Sequence, residues 1–422
     1  MPTVVAQHIE ESSHLRRVRR TLVRSPHVQL HHLQRCDDRL LANIDGLFIA
    51  GRRGVDIVNE SLEDPGAEVI FLSTTMALEF HDAALLGNLF TIAAVEPQAN
   101  IGIRSAFGWV SAPVLQGVIQ DLLCAAHVHQ RAIGLAACVM HRVDPGSALV
   151  EALAAIDETL LPQALRVVGE AGRIDLLPHV LSGCLSKNGV LRFWAARSVL
   201  LLGSQSPVAL TVLRGLAEGT GPSSDAAAEL VLKALDLPTA HQHLRHWVTL
   251  TKADTPAAAQ ARRRLLRRCG ITGDPHLIPW LIAQMTDLRL TRLAGEAFSM
   301  ITGADLAWLD LDRKPPAGVD FGPNDDPEDD NVAMDEDDGL PWPDPDKVQA
   351  WWQAQQHRFP AGQRFFIGEP PSPAHALKVL RDGYQRQRIA AAQWACMLAP
   401  GTPLFPTAAP AWRQQRWLKA MG

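Results

Sequence analysis

The chain repeats itself. Arg192-Phe193-Trp194-Ala195-Ala196-Arg197-Ser198-Val199-Leu200-Leu201-Leu202-Gly203 and Arg292-Leu293-Ala294-Gly295-Glu296-Ala297-Phe298-Ser299-Met300-Ile301-Thr302-Gly303 each run from an Arg through small residues to large apolar ones and stop at a Gly. From Pro113 to Gly303 the apolar segments fall into helical pairs that end at 141, 172, 203, 236, 270 and 303, at intervals of 31, 31, 33, 34 and 33 residues. Gly stands at four of these six ends, as it does where a helix closes in the left-handed conformation. One short helical pair leaves an apolar face uncovered, and the next pair covers it. Ala195, Ala196, Ala227, Ala228, Ala294 and Gly295 let neighbouring helices approach closely. The period therefore predicts an all-α curved α-solenoid of about eight helical hairpins with a helical C-terminal region. Such an array mostly presents surface, so the first functional expectation is binding.

Composition narrows this further. Apolar residues are 47% and charged residues 20%, which is the profile of a folded chain, and 422 residues leave room for a large core. Tyr occurs once, and the β-branched and aromatic runs of an all-β protein are missing. A net charge of −5 argues against nucleic acid as the main partner, because phosphate neutralisation needs a basic face. Cys36, Cys124, Cys138, Cys184, Cys269 and Cys396 contain no Cys-x-x-Cys and read as small buried hydrophobes in a reducing compartment. The first twenty residues lack the apolar core and cleavage site of a signal peptide, and no run of about 18 apolar residues occurs. The expectation is a cytoplasmic protein that does not meet the membrane.

Four segments follow along the chain. Residues 1–39 read as a helical N-terminal segment, with Arg16, Arg17, Arg19 and Arg20 as a solvated helix face behind Glu10 and Glu11. Residues 40–311 read as the repeat solenoid, with a turn at Asp64-Pro65-Gly66. Residues 312–346 contain Asp325, Asp326, Glu328, Asp329, Asp330, Asp335, Glu336, Asp337 and Asp338 together with seven prolines, and read as an extended acidic linker or loop. Residues 347–422 are helical again, with Gly383 as a break in the stretch Pro373–Leu398 and Phe365-Phe366-Ile367-Gly368 as a short strand or tucked coil.

No catalytic constellation is visible. Gly-x-Ser-x-Gly, Gly-x-x-x-x-Gly-Lys, His-Glu-x-x-His and the dinucleotide glycine fingerprint are all missing, so no catalytic residue, cofactor or metal is expected. His241, His243 and His246 form His-x-His-x-x-His, but His241 and His243 cannot share a helix face and no Cys or carboxylate close in sequence completes a ligand set. Arg262, Arg263, Arg264, Arg267 and Arg268 are the densest positive stretch; they approach a helix C-terminus, where the dipole favours cations, and a nucleic-acid groove is the alternative reading. The tail concentrates residues enriched at binding hot spots: Trp342, Trp351, Trp352, Arg386, Arg388, Trp412, Arg413 and Arg416. The same tryptophans are suited to anchoring the tail on the last repeat, which leaves its Gln/Arg faces for a partner.

The Arg, the small residues at mid-helix and the closing Gly resemble HEAT-like repeats from Leu40 to about Gly303. The second half adds Leu340-Pro341-Trp342-Pro343-Asp344-Pro345, Trp351-Trp352, Gly383-Tyr384-Gln385-Arg386-Gln387-Arg388 and Ala411-Trp412-Arg413-Gln414-Gln415-Arg416. This order resembles a proteobacterial family of HEAT-like repeat proteins. The resemblance implies a bacterial cytoplasmic protein associated with type VI secretion loci, where accessory proteins help load effectors. It brings no catalytic residues to carry over. The expectation is a non-enzymatic protein-binding scaffold or adaptor whose partner is a secreted effector or its delivery protein. The alternative is a nucleic-acid-binding or base-processing repeat protein.

Overall fold

The computed structural model describes residues 2–63, 66–317, 319, 322 and 334–422. Among the described residues the fold is all-α, with 22 α-helices and a single pair of two-residue strands. Asp64 and Pro65 of the expected turn, and Asp325 to Asp330 of the acidic segment, lie outside the described residues.

Two compact units divide the chain, and they do not follow the four segments read from the sequence. The first is Met1–Val212 together with Leu380–Gly422; the second is Leu213–Val379. The first contains α1 (Pro2–Leu22), α2 (Leu30–Ile49), α3 (Arg52–Glu60), α4 (Ala67–Glu79), α5 (Ala83–Val95), α6 (Pro97–Trp109), α7 (Val118–Leu123), α8 (Val128–Met140), α9 (Ser147–Ala154), α10 (Leu160–Ala171), α11 (Leu177–Gly183) and α12 (Gly189–Leu201). After α13 (Pro207–Glu218), the second contains α14 (Ser224–Ala234), α15 (Leu237–Thr249), α16 (Pro256–Thr272), α17 (Ile278–Gln284), α18 (Thr291–Thr302), strands β1 (Asp312–Arg313) and β2 (Trp342–Pro343), and α19 (Pro345–Gln355). The chain then passes through α20 (Pro373–Asp382) back to the first unit, which ends with α21 (Gln385–Leu398) and α22 (Ala411–Ala420).

Local chemistry explains these boundaries. Asp82, Asn188, Asp236 and Thr255 accept backbone N–H groups at the starts of α5, α12, α15 and α16. Gly172, Gly203, Gly273 and Gly303 stop α10, α12, α16 and α18 with φ of 72°, 77°, 73° and 70°. One expected end moves. α16 runs on to Thr272, and Gly273, not Gly270, closes it. Gly270 sits inside the helix, where a Cβ would come 2.9 Å from Ala297 Cα, so its role is close approach of α16 and α18. The second helices of successive pairs pack on one another, α6 on α8, α8 on α10 and α10 on α12, and in the second unit α14 on α16 and α16 on α18.

The part that the period does not describe crosses the ends of those helices. In the first unit, Pro400 lies at Gly203, Gly401 at Gly172, and Leu404 N–H donates to the Glu170 carbonyl (2.9 Å). Arg413 then donates to the carbonyls of Gly108 (2.8 Å), Trp109 (3.0 Å) and Val110. In the second unit, Arg364 donates to the carbonyls of Lys233 (2.6 Å), Leu235 (2.6 Å) and Thr272 (3.0 Å), while Phe365, Ile367 and Gly368 N–H groups reach Gly273, Met300 and Ile301. The last carbonyls of a helix have no partner within it. Each unit therefore carries a strap that supplies donors to a row of helix C-termini. The expected strand or tucked coil at 365–368 is this strap, with one bridge from Phe366 to Glu369.

The acidic segment is tied down where it is described. Arg292 forms a two-pronged pair with Asp335 (2.6 and 2.8 Å), and Arg263 forms another with Asp337 (2.9 and 2.6 Å). β1 and β2 pair antiparallel across its base. Five of the six cysteines are buried, in line with their reading as small core hydrophobes, and Cys124 is the exposed one. No helix among the described residues is long and apolar enough to cross a membrane.

Candidate functional site

The residues singled out in the tail separate. Trp342, Trp351 and Trp352 belong to the second unit, whereas Arg386, Arg388, Trp412, Arg413 and Arg416 belong to the first. Trp342 is buried under the Arg292 guanidinium (4.8 Å), Trp351 meets Phe298 edge-on (5.6 Å), and Trp352 is buried against Phe359 (5.6 Å). Arg388 is fully buried and donates to the Leu380 carbonyl (2.8 Å) and to the Gln385 and Gln414 side chains. Burial pushes its guanidinium down to about 10, and Arg413 likewise. Arg386 is half-buried and bonds the Arg24 carbonyl (3.2 Å). Trp412 is half-buried beneath Arg413 (4.8 Å), and Arg416 is exposed.

The stretch Arg262–Arg268 is internally engaged. Arg262 donates to the Thr251 and Ala253 carbonyls (3.0 and 2.8 Å), and Arg263 holds Asp337 and Glu336. Arg264 and Arg268 face Asp225 (3.4 and 3.6 Å), and Arg268 lies 3.9 Å over the Trp247 ring. Arg267 is half-buried. His241 bonds Asp274 (2.7 Å) and His243 leans on Trp247 (5.9 Å), so the histidine run is divided among separate neighbours. Among the described residues no three His, Cys, Asp or Glu side chains are grouped to hold a metal.

A different constellation converges in the first unit. A cleft of about 540 Å³ is lined by Arg16, Arg19, Arg20 and Arg24 of the N-terminal segment, Arg166 of α10 and Arg197 of α12. Glu170 is the carboxylate among its lining residues. Strap residues 404–410, with Phe405 and Pro406, form its other wall. The reading of these arginines as a solvated face holds for Arg17 and Arg20, which are exposed, but not for Arg19, which is 7% exposed and bonded to Asp37 (2.6 and 3.3 Å) and to the Ala408 and Ala409 carbonyls (3.0 and 3.1 Å). Arg16 donates to the Ser105 hydroxyl and lies 5.3 Å over the Phe71 ring. Burial, reinforced by Arg19, pushes the Arg16 guanidinium down to about 10.

The floor is an ion triad. Glu170 accepts from Arg166 (2.9 Å) and faces Arg197 (3.0 Å). Burial raises its carboxyl, but the two arginines prevail and hold it below the ordinary value. Burial lowers Arg197, and its Nη1 has no hydrogen-bond partner. Both arginines flank the Trp194 ring, at 5.2 and 5.3 Å. The lining thus holds more guanidinium than carboxylate, which is the electrostatic condition for recruiting an anion.

The spacing carries a trace of this site. Arg166 and Arg197 are 31 residues apart, and Arg104 lies 62 before Arg166, whole multiples of the repeat. The same repeat position therefore bears arginine on α6, α10 and α12, but Leu135 on α8, and of the three only Arg166 and Arg197 line the cleft. No protein-family model, curated protein or solved structure matches this chain.

Proposed function

We propose that this protein is a non-enzymatic binding scaffold, a HEAT-like solenoid whose working site is the arginine cleft of the first unit and whose partner is an acidic segment of another protein. The observation that carries this reading is the six-arginine lining with Glu170 as its carboxylate. Carboxylate side chains suit guanidinium forks, and the apolar wall of Trp109, Phe405 and Pro406 suits the peptide between them. Val95 ends α5, and Ile156 and Leu185 follow α9 and α11, and all three are largely exposed (83%, 103% and 75%), offering apolar side chains that a protein partner can cover. The internal pairing of Arg262–Arg268 also weakens the nucleic-acid alternative. Exposed Arg416 and half-exposed Trp412 stay available to the same partner, whereas Arg388 and Arg413 serve the fold. The family resemblance makes that partner a secreted effector or its delivery protein, met in the bacterial cytoplasm.

The test is fluorescence anisotropy of the full chain with a labelled poly-glutamate peptide at low salt. Binding should weaken with salt and fall about tenfold in Arg16→Gln/Arg20→Gln, about 1.4 kcal/mol. Equal affinity for a poly-lysine peptide, or no loss in the variant, refutes the proposal.

A further inference from the structure

A second cavity in the first unit, about 430 Å³, opens between α6, α8, α10 and α12. Arg104, His129, Thr159, Gln163, Arg166 and Trp194 line it. Gln163 is only 7% exposed. Its side-chain oxygen accepts from Arg104 Nη2, which fixes the amide so that Nε2 is a donor. That Nε2 is buried and has no hydrogen-bond partner. A buried donor without an acceptor costs about 1–3 kcal/mol, so a ligand oxygen here would be strongly favoured.

Arg104 adds charge to the same place. No carboxylate lies within salt-bridge distance of it among the described residues. Burial first, then the neighbouring Arg166, pushes its guanidinium down to about 10, with Glu170 opposing. Thr159 and His129 stand exposed at the mouth, beside Glu158, the carboxylate of the lining.

We infer that this cavity is a binding site for the phosphoryl group of a phosphate monoester. A phosphate monoester brings about two negative charges and three acceptor oxygens. Arg104 from α6, with Gln163 Nε2 and the flank of Arg166 from α10, supplies the matching donors. A carboxylate brings one negative charge where the phosphate brings about two, and two acceptor oxygens where the phosphate brings three. The volume exceeds that of a phosphate alone and falls within the range of small-ligand sites, so the ester's body has room beside Trp194. The site is independent of the acidic-peptide reading; the two cavities share Arg166 and no other lining residue.

Calorimetry on the full chain tests this with inorganic phosphate, a phosphoserine peptide, its unphosphorylated counterpart and acetate. Phosphate or the phosphopeptide should bind at least tenfold more tightly than acetate or the plain peptide. Arg104→Gln and Gln163→Glu should each weaken that binding at least tenfold and leave poly-glutamate binding at the Arg16 cleft unchanged. Thr159→Glu, an exposed change at the mouth, gives the same loss if the buried variants do not fold. A phosphopeptide tighter than free phosphate assigns the ester to a modified protein, and the reverse order assigns it to a small molecule. No preference for phosphate over acetate, or full binding in Thr159→Glu and Arg104→Gln, overturns the inference whatever the poly-glutamate result.

Discussion

Asp37 holds Arg19 with both carboxylate oxygens and also accepts the N–H of Ala411, at 2.7 Å, where α22 begins. One carboxylate thus joins the N-terminal helices to the last helix of the same unit. Asp37 is 1% exposed, so removing it leaves a buried guanidinium without its counter-charge. Asp37→Ala should cost about 3–5 kcal/mol, read as a drop in the urea midpoint. Arg19→Met/Asp37→Leu should cost clearly less than the sum of the single changes.

Glycines at positive φ should differ in what they tolerate. A Cβ on Gly172 would lie 2.4 Å from the Gly401 carbonyl oxygen, whereas one on Gly146, also at positive φ, meets nothing within 4 Å. Gly172 is left-handed with ψ of 26°, and Gly146, just before α9, has ψ of −135°, so Gly146→Ala reports backbone strain without a clash, at least about 1 kcal/mol. Gly172→Ala should destabilise substantially more, because the strap must shift as well. Equal urea midpoints for the two variants would remove the strap from the explanation.

His141 should make the first unit acid-sensitive. Burial, then the charge of Arg413, pushes the imidazole down to about 4, while its Nε2 bonds the Phe107 carbonyl at 2.8 Å. Between about pH 6.5 and 4 the unfolded chain binds a proton that the folded chain refuses. The contribution is full above pH 6.5 and is lost as pH falls toward 4, by up to about 1.4 kcal/mol per pH unit. His141→Asn should flatten that part of the stability profile.

Arg413 reaches three carbonyls with one planar group, which an ammonium cannot copy. Arg413→Lys should lose about 1.5–3 kcal/mol and speed amide exchange in α22.

Asp335→Asn/Asp337→Asn should release the segment that Arg292 and Arg263 hold. Limited proteolysis between residues 334 and 341 should become about tenfold faster, equivalent to about 1.4 kcal/mol.

The helices were legible because their signals are local. Apolar spacing and closing glycines placed the ends of α8, α10, α12, α14 and α18 within two residues, and that of α16 with the shift from Gly270 to Gly273. The straps were not, because a helix C-terminus offers only backbone carbonyls, and no side-chain pattern in 364–368 or 397–413 names which carbonyls they meet. Arg388 and Arg413 accordingly read as surface hot spots, although both lie at 1% exposure or less. The cleft was hidden for a related reason. Arg16 and Arg19 look solvated on their own helix, and only the arrival of α6, α10 and the strap encloses them.

The strap also sets a schedule. The first unit needs residues 380–422, but residues 213–379 are synthesised before them. At about 5–20 residues per second, that interval lasts on the order of ten seconds. Through it, the terminal carbonyls of α6 and α10 lack their strap donors, and Arg16 and Arg19 lack their second wall. The cleft therefore comes into being only late in translation, and the nascent first unit passes through an open form that the finished protein does not need to revisit.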